Sequence, residues 1–135
     1  MLLSARMLDS VGSVNIFEYV DQVSFMEGDT VDLFFQLIDL SKDKAINQFK
    51  PAGRRYIPVA GATMSVVLDN IDDDIKVTRV ATQPFAGDPS IWKVSVLASD
   101  KIRGTVALSI TLTESGVVKR GRVETAVAIS PSGTL

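Results

Sequence analysis

Residues 104–129 read GTVALSITLTESGVVKRGRVETAVAI, and this stretch carries the clearest structural pattern in the chain. Between residues 105 and 113, apolar side chains alternate strictly with small ones, which is the period-two pattern of a half-buried β-strand. The apolar set is Val106, Leu108, Ile110 and Leu112. A turn at residues 114–117 leads to a second run, residues 118–129, that is rich in β-branched residues. The stretch therefore predicts a β-hairpin.

The predicted hairpin has a definite register, because strand pairing must place like faces together. A two-residue loop of Ser115 and Gly116 sets Ser109 opposite Arg122. The same register pairs Val106 with Thr125, Leu108 with Val123, and Ile110 with Gly121. A loop of odd length would set apolar residues opposite charged ones. Within the second strand, Gly121 marks a candidate bulge.

Six further runs of the chain show strand-like patterns between turn residues. These predicted strands cover residues 15–20, 22–26, 30–39, 62–68, 75–81 and 90–98. Turns recur at roughly ten-residue spacing, and no helix of normal length is required anywhere. The pattern is typical of an all-β, antiparallel sandwich of the immunoglobulin-like type, although the cysteine and tryptophan spacing of true immunoglobulin domains is absent.

The predicted sandwich occupies residues 13–129, between an apolar N-terminal arm, residues 1–12, and a polar C-terminal tail, residues 130–135. The arm is open to three interpretations: a helical turn, an edge strand, or a segment that docks on a neighbouring molecule. We predict that its Leu2 and Leu3 side chains contribute to a protein interface. At 135 residues the chain can bury about two thirds of its unfolded surface in a single core.

Composition removes several classes of chemistry. The chain has no cysteine and no histidine, which excludes disulfides, thiolate metal sites, the commonest zinc ligand and the ordinary Ser-His-Asp triad. It carries no phosphate-binding glycine motif, and no apolar run approaches the ~18 residues of a membrane-spanning helix. The sequence therefore predicts a protein that is not an enzyme, carries no cofactor or metal, takes no small-molecule substrate and does not enter a membrane.

Charge is unevenly distributed, although the net charge is only −2. Residues 1–40 contain one basic and seven acidic side chains, whereas residues 101–135 contain five basic and two acidic ones. Surfaces of opposite charge attract one another and fix the register of an association. The acidic start and the basic end are therefore expected to meet between copies of the chain.

The longest irregular stretch, residues 40–61, is the predicted interaction loop. A connection of about 20 residues is unusual within a compact domain and is more often functional. Its basic side chains are Lys42, Lys44, Lys50, Arg54 and Arg55. We predict Arg54 and Arg55 as the main interface residues, ahead of Tyr56 and Lys50. A protein partner is favoured over nucleic acid, because the whole chain is slightly acidic and has no nucleic-acid-binding motif.

Other candidate sites have simpler structural interpretations. The acidic turn at residues 69–74 is predicted to be a solvated hairpin tip, since it lacks the central glycine and final glutamate of a calcium-binding EF-hand loop. Trp92 shares a face with Val94 and Val96, which predicts a core position and not an exposed platform for a sugar. The basic residues of the second hairpin strand are open to interpretation as gatekeepers against aggregation: Lys119, Arg120 and Arg122.

The stretches FMEGDTVDLFFQL (residues 25–37) and PVAGATMSVVL (residues 58–68), together with the hairpin over residues 104–122, resemble a known family. They are similar to the opening, the second block and the closing hairpin of immunoglobulin-like domains in virion proteins of tailed bacteriophages, notably the baseplate upper-protein type. The resemblance spans about residues 25–129. Residues 1–24 and the basic loop have no clear counterpart in that family.

The resemblance implies a non-catalytic structural protein, made in the host cytoplasm and built into the phage particle in many copies. Its partners would be other virion proteins and copies of itself. Its position stays open among the baseplate, the tail, the neck and the head surface. The alternatives are a carbohydrate-binding or host-adhesion module and a capsid decoration protein.

Overall fold

A computed structural model describes residues 2–8, 19–20, 22–42, 54–70 and 72–131 of the chain. These residues form ten β-strands and, apart from a 3₁₀ turn at Leu40–Lys42, no helix, which confirms the all-β class. The strands are β1 (Leu3–Leu8), β2 (Gln22–Met26), β3 (Val31–Asp39), β4 (Arg54–Arg55), β5 (Thr63–Asn70), β6 (Ile75–Ala81), β7 (Ile91–Val96), β8 (Gly104–Glu114), β9 (Val117–Val123) and β10 (Ala126–Ser130). Nothing helical within these ranges is long and apolar enough to cross a membrane.

Strand β8 is the centre of the sheet, as its strict alternation suggests. It pairs with β5 along one edge and with β9 along the other, both in antiparallel ladders, and its first residues pair with β10. The predicted inward side chains are all buried: Val106, Leu108, Ile110 and Leu112. Strand β8 therefore positions part of the core and also the hairpin tip that is described below.

The path of paired strands closes on itself. Strand β1 lies between β9 and β3, while β3 carries β7 and the short β4 along its other edge, and β6 pairs with β5. An isolated bridge then joins Thr82, just after β6, to Lys93 in β7, with backbone N–O distances of 2.9 and 2.8 Å. The sheet therefore wraps around one interior.

Two ladders are parallel, which corrects the prediction of a purely antiparallel arrangement. Strand β1 runs parallel to β9, and β2 runs parallel to β10. Alternation in a sequence shows which side chains are buried, but it does not show the direction in which strands from distant parts of the chain pair. The result is a mixed sheet.

The N-terminal segment belongs to this sheet. Because β1 is paired along both edges, it is neither the edge strand nor the helical turn that the sequence left open. Leu3, Ala5 and Met7 lie in the core, and Arg6, which interrupts the apolar run, lies on the outward face. The predicted strand over residues 15–20 and the boundary at residue 12 fall outside the described residues, except for Tyr19 and Val20.

A single hydrophobic cluster fills the interior. Its largest fully buried side chains are Trp92, Phe35, Met7, Leu37, Leu68, Ile102, Leu108, Ile110 and Leu112. Burying one large aliphatic or aromatic side chain contributes about 1.5–3 kcal/mol, so this cluster is the main source of stability. Trp92 is only 2% exposed, which confirms its predicted core position.

The hairpin between β8 and β9 has the predicted two-residue loop. Ser115 and Gly116 have φ values of 46° and 80°, the left-handed pair of a type I′ turn. The predicted pairs of Ser109 with Arg122 and of Ile110 with Gly121 are present. Beyond residue 123 the register changes, and Val106 pairs with Val127 instead of Thr125.

The register changes because Glu124 and Thr125 turn away from β8 and bind other strands. The Glu124 amide donates to the Ala5 carbonyl at 2.8 Å. The Thr125 hydroxyl accepts from the Met7 amide at 3.0 Å and donates to the Val20 carbonyl at 3.1 Å. The single strand predicted over residues 118–129 is therefore divided into two strands, β9 and β10.

Gly121 is required by a close approach of β1, not by a bulge. It stays in regular register opposite Ile110. A Cβ atom at this position would lie 2.4 Å from the Leu3 carbonyl oxygen and 2.9 Å from its carbonyl carbon. Any side chain here would push β1 away from β9.

Candidate protein interface

The tip of the β8–β9 hairpin is joined to the segment that follows β4 by a network of three side chains. The Lys119 ammonium donates to Glu114 Oε1 at 2.8 Å and to the Tyr56 hydroxyl at 2.9 Å, and the Tyr56 hydroxyl also donates to Glu114 Oε1. The Val59 amide donates to the other oxygen, Glu114 Oε2, at 2.8 Å. The end of the long loop is thereby fixed to the hairpin.

The electrostatics of this network keep its ion pair charged. Burial acts to raise the pKa of Glu114, but hydrogen bonds from Lys119, Tyr56 and the Val59 amide outweigh burial, and the pKa lies below its ordinary value. Hydrogen bonds to Glu114 and Tyr56 raise the pKa of Lys119. Burial and the bond to Glu114 raise the pKa of Tyr56, so its hydroxyl keeps its proton.

Apolar side chains are exposed around the network. Ile57 is 60% exposed and Val59 55%, and they lie one and three residues after Tyr56 along the chain. On the hairpin, Val117 is 56% and Val118 51% exposed, next to Lys119. We call these four residues the tip patch. Exposed apolar groups held on a rigid frame are characteristic of protein-binding surfaces.

The structure places the predicted interface residues in different environments. Arg55 is exposed at the edge of the sheet, with its NH1 3.3 Å from Asp88 Oδ2. Tyr56 is half-buried within the network, and Leu2 is exposed. Leu3, by contrast, is 5% exposed and packs in the core, where its alternation with Ala5 places it; its interface role stays a prediction.

Two of the predicted interface residues lie partly or wholly outside the residues that the structure describes. The backbone of Arg54 pairs with Asp39 of β3, but its side chain lies outside the described part. Lys50 falls within residues 43–53, which are also outside it. Their predicted roles stay predictions.

Glu114 and Lys119 belong to this candidate interface, but the sequence pattern placed Glu114 in a turn and Lys119 among the gatekeepers of the second hairpin strand. Glu114 was assigned to the turn, yet it continues the inward parity of Leu108, Ile110 and Leu112. A carboxylate on the core face of a strand needs hydrogen-bond donors, because an unpaired buried charge is very costly. That parity was the available sign that the hairpin tip carries a buried polar network.

A second polar chain connects Arg55 to the outer face of β3. Asp88, the partner of Arg55, accepts from the Ser90 hydroxyl at 2.5 Å, and Ser90 accepts from Gln36 Nε2 at 3.0 Å. Gln36 in turn accepts from the Tyr19 hydroxyl at 2.6 Å. These bonds hold Arg55 and the end of β7 in a fixed relation.

The acidic turn has the solvated geometry that the sequence predicts. Asp72, Asp73 and Asp74 are exposed, and the Asn70 side chain accepts from the first two of their amides at 3.0 and 3.2 Å. Across the described ranges no group of three or more acidic, histidine or cysteine side chains is placed to hold a metal ion.

Comparison with known proteins adds no relative: no protein-family model matches the chain, and no curated protein matches it significantly.

Proposed function

We propose that the chain is a non-enzymatic structural protein of a tailed-phage virion, assembling in multiple copies and linking components of the baseplate, tail or neck. Its partners are other virion proteins and further copies of itself. The mechanism is burial of apolar surface, with charges fixing the register. In this proposal the chain uses no cofactor, metal or small-molecule substrate and binds neither nucleic acid nor membrane.

The observation that carries the proposal is the tip patch. Its four apolar side chains are exposed and lie close along the chain to the residues of a network that is already ordered within one chain. Little conformational entropy is lost in ordering this surface when a partner docks there, which favours association. Arg55, at the neighbouring sheet edge, supplies a charge at the rim of the same region.

The finer description of the fold belongs to the same proposal. The stretches with family resemblance provide the end of β2 with most of β3, strand β5 and the β8–β9 hairpin. Side chains from β5 and β8 share one cluster with those from β3 and β7. Two walls around a common core support an immunoglobulin-like sandwich as the architecture, with its edges joined by the Thr82 bridge.

The carbohydrate-binding alternative loses its main candidate residue. A sugar platform requires an exposed aromatic ring, and Trp92, the single tryptophan, is buried. Capsid decoration is a variant of the same assembly role at a different position in the particle.

Light scattering of the purified chain over a range of protein and salt concentrations tests the proposal. We expect an oligomer whose formation is weakened in the double variant Ile57→Asp/Val117→Asp. Leu97→Asp is the matched control, because Leu97 is also exposed but lies at the opposite end of the strands. A wild-type chain that stays monomeric under all conditions would overturn assembly in multiple copies.

The predicted arginines are tested in the same assay. Replacing both Arg54 and Arg55 with glutamate is expected to weaken the oligomer, because the reversed charges would repel the surface that they meet in the wild type. Unchanged assembly in this double variant would remove Arg54 and Arg55 from the interface and leave the tip patch as its centre.

A further inference from the structure

The outer face of strands β5, β8 and β9 carries mostly short side chains, and we call it the hydroxyl face. Its floor consists of short side chains in register across β5 and β8: Ser65 with Thr111, Val67 with Ser109, and Asp69 with Ala107. None of these serine or threonine hydroxyls has a hydrogen-bond partner among the described residues. Short side chains leave room for a second layer to approach closely, at about the 10 Å spacing of stacked sheets.

Two arginines border this floor. Arg120 and Arg122 lie opposite Thr111 and Ser109 on β9, and both are exposed. Neither guanidinium has an ion-pair partner within the described ranges. Together with Leu2 and Leu40 they line a groove of about 570 Å³.

Unpaired carboxylates lie on the β5 side of the same face, across β8 from the two arginines. Asp69 and Asp72 line a second groove of about 430 Å³, which Arg122 also borders. Asp69 makes no ion pair in the described structure, and its Oδ1 is buried without a hydrogen-bond donor. The Asp69 carboxylate therefore keeps acceptor capacity that no described residue uses.

We propose that the hydroxyl face binds the same face of a second copy, with Arg120 and Arg122 of each copy meeting Asp69 and Asp72 of the other. A two-fold interface requires a surface that is complementary to itself, and a face with unpaired cations on its β9 side and unpaired anions on its β5 side meets that requirement. This inference rests on the proposed assembly role and names one surface through which copies meet.

Other occupants fit the face less well. A polyanion such as a nucleic acid would meet Arg120 and Arg122 but would be repelled by Asp69 and Asp72. A neutral glycan would find no aromatic ring among the side chains that form the floor. A second copy satisfies both sets of charges at once.

The test is sedimentation equilibrium of the full chain at low and high salt. Arg120→Glu/Arg122→Glu is expected to raise the dissociation constant of the dimer about tenfold or more, because each symmetric interface loses its ion pairs and gains repulsion. Dissociation of the wild-type dimer should increase with salt. Lys93→Glu/Lys101→Glu changes the net charge equally, away from this face, and should leave the dimer intact.

A mixing experiment guards against variants that fail to fold. Asp69→Arg/Asp72→Arg should also be monomeric alone, but an equimolar mixture with Arg120→Glu/Arg122→Glu should form a heterodimer, since both of its contacts then join opposite charges. Fluorescence of the buried Trp92 confirms that each variant is folded. Failure of the folded variants to form this heterodimer would overturn the proposal.

The remaining outcomes separate this inference from the proposed function. If only the Ile57→Asp/Val117→Asp variant loses assembly and the arginine variant does not, the hydroxyl face is not an interface and the tip patch is. If the wild type is a monomer that binds a short DNA duplex or heparin through Arg120 and Arg122, the face serves a polyanion and the self-association is wrong.

Discussion

Strand β9 takes part in two ion pairs that use the same chemistry in different surroundings. Lys119, near its start, pairs with Glu114, whose side chain is 3% exposed. Just past its end, Glu124 pairs with Arg6 at 3.2 Å, and Glu124 is 45% exposed. Water hardly reaches the carboxylate of the first pair, although Lys119 itself is 30% exposed, whereas water reaches the carboxylate of the second pair freely. The comparison teaches that burial, and not the presence of an ion pair, decides how much of the structure depends on it.

The largest expected effect comes from Glu114→Gln. A glutamine side chain has only one acceptor atom, so either the Val59 amide or the Lys119 and Tyr56 donors lose their partner. Removing one member of a buried pair costs about 3–5 kcal/mol, and the partial exposure of Lys119 reduces this to about 2–3 kcal/mol. Urea denaturation measures the change. A loss below about 0.5 kcal/mol would show that water replaces the carboxylate freely.

The pH dependence of stability provides an independent check on this variant. The pKa of Glu114 in the folded chain lies below its ordinary value of 4.5. Its contribution to the free energy of unfolding is therefore present above pH 4.5 and is lost as the pH falls through the folded pKa. Glu114→Gln should therefore flatten the acid limb of the stability curve. Asp39, whose pKa is also lowered despite burial, through hydrogen bonds from Ser41 and the Leu2 amide, should preserve part of that limb.

An intermediate effect is expected from Gly121→Ala. Gly121 lies between Lys119 and Glu124, so the substitution alters the segment that separates the two ion pairs. The new methyl group would overlap the Leu3 carbonyl and force β1 outward, at a cost of about 1–3 kcal/mol in the free energy of unfolding. Gly87→Ala is the control, because its added methyl group meets no atom within 4 Å. Equal stability of the two variants would contradict the close approach of β1.

The smallest effect is expected from Glu124→Gln, the same substitution at the exposed pair. Solvent screening limits such pairs to about 0.2–1 kcal/mol, so we expect a loss of about 0.5 kcal/mol that largely disappears at high salt. Measuring both glutamine variants under identical conditions gives the contrast directly. If Glu124→Gln were as damaging as Glu114→Gln, burial would not be the deciding variable.

The β8–β9 hairpin was predictable because its information is local. Strict alternation and a two-residue turn determine both its faces and its register up to residue 123. Strand β1 was not predictable, since its six residues include Arg6 and its partners, β3 and β9, lie far from it along the chain. The break at Glu124 and Thr125 was hidden for the same reason, because these residues bind β1 and Val20 and not their neighbour in the hairpin.

The candidate interface was half predictable. Loop length and basic composition pointed to the segment containing Arg55 and Tyr56. The hairpin tip was not linked to that segment, because Glu114 and Tyr56 are 58 residues apart. The inward parity of Glu114 indicated a buried carboxylate but could not identify the donors that satisfy it.

The parallel pairing of β1 with β9 has a consequence for how the chain is made. Synthesis proceeds from the N-terminus, and Ser4 must wait for Arg122, 118 residues later, before its strand has both neighbours. At the usual 5–20 residues per second this interval is about 6–24 s. During that time β1 has at most β3 as a paired strand, and its second ladder forms only on the arrival of the hairpin that also builds the tip patch. A nascent chain therefore gains its binding surface only when its core can close.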